Sequence, residues 1–411
     1  MTGPTDLPTL PGNRHAGLLE EARKLQDRTV ELRRAVHRYP EQGLQLPRTQ
    51  AAIRAALADL PIELTDGRAT TSLTGVLRGA RPGPAVLLRG DMDALPLDED
   101  TGLDFASEVE GSMHACGHDT HVAMLASAAR LLSARVDELA GSVVFMFQPG
   151  EEGFHGARHM IHEGVLDVAG TRVTRAFGLH TIANSPSGVL QLRGGPMMAS
   201  ADTFSVEVIG RGGHGSAPHD AIDPVPAAAA MVGALQTMVT RRIDVFDPAV
   251  ISVTRIAAGT TTNIIPETAV LEGTIRTLSE STRAFVREEL PKVCEAVGAA
   301  HGCRVLAGVD PGYPPTVNDP AVAAEVLALG AAILGTENVE EATTPIMGAE
   351  DFSYVLQRVP GAFAFIGARP PEFDPAETPD NHSNRVVFHE PAMAAGVALY
   401  AGFALDALRD A

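Results

Sequence analysis

Three short apolar runs in this chain each end in residues that can hold a cation or a proton. Residues 85–90 lead into Asp91 and Asp93, residues 142–147 into Gln148-Pro149-Gly150-Glu151-Glu152-Gly153, and residues 176–179 into His180. Runs of this length and content predict buried strands, with His180 at the tip of the third. Helical spacing predicts helices over 16–38 (closed by Tyr39-Pro40), 122–132, 321–334 and 392–405, and residues 362–366 predict a further strand. Strands alternating with helices define an α/β sheet. Polar groups gathered past the carboxyl ends of its strands lie where open α/β sheets bind ligands.

The pattern changes near Gly194-Gly195-Pro196. Strict alternation over 203–209 predicts a half-exposed strand. A helix at 224–240, strands at 250–256 and 269–277, a helix at 280–301 and a strand at 305–309 complete a βαββαβ unit. After Tyr313-Pro314-Pro315 the earlier style returns. A chain of 411 residues is too long for one ordinary core, so the reading is a small domain at 198–310 inserted into a larger one at 15–197 and 311–411. Residues 1–14, rich in Pro and Gly, are expected to be disordered.

A formal charge of −19 argues against nucleic acid or anionic membrane as a partner. Three cysteines, Cys116, Cys294 and Cys303, make no disulfide framework and fit a reducing cytoplasm. No basic segment followed by an apolar one opens the chain, so no secretory signal is expected. The 392–405 run is too short to span a bilayer.

The densest chemistry is His114-Ala115-Cys116-Gly117-His118-Asp119-Thr120-His121. A buried structural cysteine beside a capping histidine is the bland reading. Gly117 permits a tight turn that faces Cys116 and His118 to one point, with Asp119, His114 and His121 close enough to orient them. A nucleophilic Cys–His pair is the rival; it lacks an oxyanion turn and leaves Glu151 and Glu152 unexplained. Adjacent carboxylates are usually a solvated pair, but these two follow a buried strand and a Pro-Gly turn. One can hold a cation while the other serves as general base, the division metal-assisted hydrolysis requires. His180 and His382 count only collectively. Gly210-Arg211-Gly212-Gly213-His214-Gly215 matches the dinucleotide fingerprint, but Pro218, Pro224 and Pro226 prevent a helix from opening directly off it. The glycines instead let the backbone carry His214 to a substrate. Asn263 and Arg276 suit a grip on a substrate carboxylate; an exposed strand-end charge is the plainer account of Arg276.

Together these motifs resemble the M20 peptidase/aminoacylase superfamily, in its amidohydrolase branch of hippurate, indoleacetyl-amino-acid and N-acyl-amino-acid hydrolases. The resemblance rests on His37-Arg38-Tyr39-Pro40-Glu41, Asp91-Met92-Asp93-Ala94-Leu95-Pro96, Met113-His114-Ala115-Cys116-Gly117-His118-Asp119, Gln148-Pro149-Gly150-Glu151-Glu152-Gly153, Gly212-Gly213-His214, Asn263-Ile264-Ile265-Pro266, Met347-Gly348-Ala349-Glu350-Asp351-Phe352 and His382, in family order. It implies a mixed sheet flanked by helices plus a ferredoxin-like lid and dimerisation domain, in a homodimer.

It also implies two divalent metals bridged by Cys116, one completed by His118 and His180, the other by Glu152 and His382. Glu151 resembles the general base and His214 the lid histidine that stabilises the oxyanion. Asn263 and Arg276 resemble residues that hold the substrate α-carboxylate, and Gly348 a pocket wall. Where many superfamily members carry His-x-Asp, this chain has Asp91-Met92-Asp93, so Asp91, Asp93 and Asp119 are expected to support the ligands. Asn384-Arg385-Val386-Val387-Phe388 also departs from the branch's usual proline and acid after His382. The donor set admits Zn, Mn, Ni or Co; the resemblance favours Mn or Zn. The expected activity is cleavage of N-acyl-amino acids, with a dipeptidase or carboxypeptidase, or a silent metal-dependent binder, as alternatives.

Overall fold

The computed structural model describes His15 and residues 17–409, and the expected disorder of 1–14 lies outside the described residues. The chain divides into two compact units. The first comprises described residues up to Gly195 with 318–344 and 354–409; the second comprises 196–317 and 345–353.

The first unit is built on an eight-stranded mixed sheet. Its spatial order is Ile62–Asp66, Leu73–Arg78, Ala140–Gln148, Arg81–Asp91, Val173–Pro186, Gly361–Arg369, Leu190–Leu192 and Val339–Glu341. The four central strands run parallel, and antiparallel pairs join them to the strands on either side. Every residue of Ala140–Gln148 is buried. A strand covered on both faces needs apolar side chains on both, hence a continuous run and no alternation. The helix Met393–Ala407 is apolar on all sides and almost wholly buried, as a core helix must be. Its Tyr400 hydroxyl donates to Arg89 O at 2.6 Å and accepts from Leu179 N at 3.1 Å, tying together the two strands that deliver Asp91 and His180. Among the described residues no helix is long and apolar enough to cross a membrane.

Two sequence expectations need correction. The 16–38 helix is two helices, Leu18–Lys24 and Gln26–His37, separated at Leu25. Leu18 and Ala22 of the first pack towards the C-terminal helix, so burial, not periodicity, sets where the axis breaks. His180 is not at a strand tip. Pairing with Gly361–Arg369 runs on to Pro186, which places His180 mid-strand opposite Phe365. The helix Pro47–Leu57 and the strands Ile62–Asp66 and Leu73–Arg78 were not expected. Glu41 of the His-Arg-Tyr-Pro-Glu motif starts that helix: its carboxylate accepts from Arg48 N at 3.2 Å and Thr49 N at 2.9 Å, satisfying two orphan donors.

The second unit is a four-stranded antiparallel sheet ordered Ala249–Ala258, Thr268–Thr277, Ala201–Ile209, Arg304–Tyr313. The helices Pro224–Arg242 and Glu280–Ala300 complete a βαββαβ order. Alternate residues of the two central strands are buried, and Phe204, Val206, Leu271 and Ile275 share a core with Met231, Leu235, Val286 and Leu290. Asp223 caps the first helix by accepting from Val225 N, with Pro224 in the first turn where its missing N–H costs nothing. Ser279 caps the second through Thr282 N.

Candidate metal centre and active site

Cys116 and His118 flank Gly117, whose φ of 87° starts the helix His118–Ser133. A β-carbon there would meet Thr181 Oγ1 at 2.4 Å and the Phe388 ring at 3.0 Å, so only glycine makes this turn in this place. The turn directs two donors to one point. Cys116 Sγ lies 3.3 Å from His180 Nε2 and 3.2 Å from His382 Nε2. His382 Nε2 lies 3.3 Å from Glu152 Oε1, and His118 Nε2 lies 4.0 Å from the same oxygen. The donors form two groups that share Cys116: one with His118 and His180, one with Glu152 and His382. Within each group all ligand atoms lie within 4.8 Å of one another, spacings compatible with a common cation at bond lengths of about 2.0–2.3 Å.

Hydrogen bonds set the tautomers. His118 Nδ1 donates to Asp93 O at 2.8 Å, and His180 Nδ1 donates to Thr181 O at 2.8 Å. A carbonyl only accepts, so each ring, when neutral, keeps its lone pair on Nε2, the atom turned to the cluster. Among the described residues, His118 Nε2 is buried and makes no hydrogen bond. Polar atoms left this way are costly unless something cationic completes them, and the residues fit a metal on that ground.

Charges adjust accordingly. Burial disfavours the imidazolium of His118, but Asp91 and Cys116 outweigh it and hold its pKa well above the ordinary value. Hydrogen bonds to Cys116 and Glu152 raise His382 to about 10. Burial, with His121 nearby, keeps His180 neutral. Protons on His118 and His382 therefore compete with a cation for the same donors.

The expected supporting aspartates are all buried. Asp93 accepts from Glu151 N at 2.9 Å and Glu152 N at 3.0 Å, fixing the turn that aims both glutamates. Asp91 binds His121 Nδ1 at 2.5 Å and Arg89 at 2.7 Å, and also lies 3.5 Å from His118 Nε2. His121 Nε2 accepts from Thr181 N at 2.8 Å, which commits it to bracing the His180 strand. Asp119 binds Arg33 and His37. Glu151 is buried, and a carboxylate oxygen lies within 4.8 Å of the donors of His118 and Glu152.

Asn381 was missed in the sequence. Its amide donates to Cys116 O at 3.1 Å and Thr181 O at 2.9 Å, and its oxygen accepts from Ala183 N at 3.0 Å. His382 N donates to Ala115 O at 2.8 Å. These bonds hold the His382 loop, at a residue with φ of 70°, without the proline and acid the resemblance called for. Adjacency to His382 was the only signal.

His214, Asn263, Arg276 and Gly348 belong to the second unit. His214 pairs with Ile264, and Gly215 N donates to Asn263 O at 2.9 Å, which sets His214 and Asn263 side by side. Ser216 N donates to His214 Nδ1 at 3.1 Å, so the neutral ring carries its proton on Nε2 and offers a donor. The glycine-rich loop holds no helix N-terminus, since the next α-helix opens only at Pro224. Arg276 makes one long bond to Ser200 O at 3.5 Å and, among the described residues, no ion pair. Gly348 O accepts from Ala199 N at 3.0 Å, placing it next to the same backbone.

A sulfur-centred donor cluster with a carboxylate beside it, on an α/β sheet, is the arrangement of a metal-dependent hydrolase. Residues 87–406 match the model of peptidase family M20/M25/M40, and the chain belongs to that family. It is 41% identical over 359 residues to thermostable carboxypeptidase 1 of Saccharolobus solfataricus, covering 86% of this chain and 88% of the relative. It is 38% identical over 341 residues to an N-acetylcysteine deacetylase of Bacillus subtilis, covering 83% and 88%. A Bacillus subtilis structure described as a dinuclear metal binding peptidase from the M20 family is similar at TM-score 0.81 and 33% identity, covering 94% of this chain and 99% of that one. The protein is a metal-dependent amidohydrolase of this family.

Proposed function

We propose that the protein hydrolyses N-acyl-L-amino acids to a carboxylate and a free amino acid, with two divalent cations, Mn or Zn, held by Cys116, His118, His180, Glu152 and His382. The observation that carries the reading is the convergence of these donors on one sulfur with Glu151 beside them. Bound cations supply a Lewis acid and lower the pKa of the attacking water. Glu151 takes the water's proton and returns it to the leaving amine. His214 donates Nε2–H to the oxyanion. Arg276 and Asn263 hold the α-carboxylate, and Gly348 leaves room for the substrate against the Ala199 backbone. Cys294 and Cys303, which form no disulfide, support a cytoplasmic setting.

A carboxypeptidase uses the same carboxylate grip, and the relative of that name favours it as the second reading. A panel of N-acetyl, N-benzoyl and indoleacetyl amino acids, set against dipeptides and against the same compounds with an amidated carboxylate, separates them. We expect N-acyl amino acids to be turned over fastest and amidation to remove most of kcat/KM. Faster cleavage of dipeptides selects the carboxypeptidase, and indifference to amidation removes the role of Arg276.

The homodimer is part of the proposal. Ala249–Ala258 and Arg304–Tyr313 are the outer strands of the second unit's sheet, and the former exposes Val250 and Ile256, a surface suited to a second copy. Light scattering is expected to give twice the chain mass; a monomer at micromolar concentration refutes it.

A further inference from the structure

The His-Arg-Tyr-Pro-Glu motif has no part in the chemistry above, yet its histidine sits in a buried charged network of the first unit. His37 is 2% exposed. Its Nδ1 lies 2.8 Å from Asp119 Oδ2, and its Nε2 lies 3.1 Å from Glu99 Oε2. Ionised carboxylates only accept. Both ring nitrogens therefore donate, and the geometry requires an imidazolium.

The network joins four segments. Asp119 Oδ2 also accepts from Arg33 Nε at 3.0 Å. Arg33 Nη1 donates to Phe388 O at 3.1 Å and pairs with Glu390 at 3.2 Å. Glu99 accepts from Ser107 N at 2.7 Å and from the Thr101 hydroxyl. The Phe388 ring presses on Gly117, and Asp119 directly follows His118. The turn that carries Cys116 and His118 is thus gripped from both sides by groups tied to Arg33 and His37.

We propose that His37 is a positioning residue, held as an imidazolium, that fixes Asp119 and through it the Cys116-Gly117-His118 turn in its cation-binding shape. This rests on the metal reading above. Besides Asp119 and Glu99, the groups facing His37 are Arg33, the edge-on Phe105 ring at 5.3 Å and the His114 ring at 6.2 Å. Burial opposes the charge on His37, but Asp119 and Glu99 outweigh it and raise its pKa to about 9. A pKa raised from 6.5 to about 9 gives a stabilisation fully present below pH 6.5 and lost as pH rises through about 9.

The test uses the full chain and the variant His37→Gln, which cannot bridge two carboxylates with two N–H groups on opposite sides. In ¹⁵N-histidine spectra of the wild type, both His37 ring nitrogens are expected to be protonated at pH 7.5; one unprotonated nitrogen overturns the proposal. Competition with a chelator is expected to show Zn binding weakened about tenfold or more in the variant; equal affinity overturns it. The gap in Tm between wild type and variant should be wide at pH 6 and close by pH 10. A gap that does not change with pH means that His37 only fills space, and overturns it too. If the wild type itself retains no cation, the metal reading fails, while the spectra and the Tm gap still judge the charge on His37.

Discussion

Replacing Glu151 by glutamine is expected to leave the cations bound and to lower turnover by about 100- to 10,000-fold, the usual worth of a general base. Glutamine keeps the shape of the side chain, and its backbone N–H keeps the bond to Asp93 that sets the turn. The two donor groups that share Cys116 contain no Glu151, which is the basis for expecting its carboxylate to act on the proton. Metal content by mass spectrometry and kcat on an N-acyl amino acid decide the matter together. Full turnover in Glu151→Gln moves the base elsewhere. Loss of metal makes Glu151 a ligand, the role open to it through its own grouping with His118 and Glu152.

Cys116→Ala is expected to empty both cation positions at once. The sulfur lies within 3.3 Å of His180 and of His382, and no other side chain belongs to both groups. Without it, each group keeps two donors and loses the sulfur that the two groups share. Lewis-acid stabilisation is worth several kcal/mol, and about 1.4 kcal/mol is tenfold in rate, so turnover should fall by about 1,000-fold or more. The helix start depends on Gly117 and not on the thiol, so circular dichroism should be unchanged. If one cation per chain survives at wild-type affinity, Cys116 does not bridge.

Much of the site was legible because the signals are local. Cys116, Gly117 and His118 lie within one turn, and Glu151-Glu152 directly follow a strand whose complete burial shows as an unbroken apolar run. The βαββαβ order was legible for the same reason: the two central strands alternate and each helix has its own cap. Leu73–Arg78 was not, because a glycine interrupts a six-residue run. Only the fold explains that glycine: a β-carbon at Gly75 would lie 2.9 Å from Ile62 of the neighbouring strand. The mid-strand position of His180 was hidden because pairing with Gly361–Arg369, far along the chain, sets the strand's length.

The tautomers of His118 and His180 depend on backbone carbonyls, of Asp93 and of Thr181, and a carbonyl has no letter of its own in a sequence. Asn381 and His37 act through partners 265 and 82 residues away. The amino-acid order by itself determined which donors this chain possesses and which strands and turns present them, since burial periodicity and turn chemistry operate over a few residues. Only the tertiary structure decided which nitrogen of each ring faces the sulfur and which carboxylates are occupied in holding a turn. Hydrogen bonds reach about 3 Å, and what lies within that distance is a matter of packing and not of position along the chain.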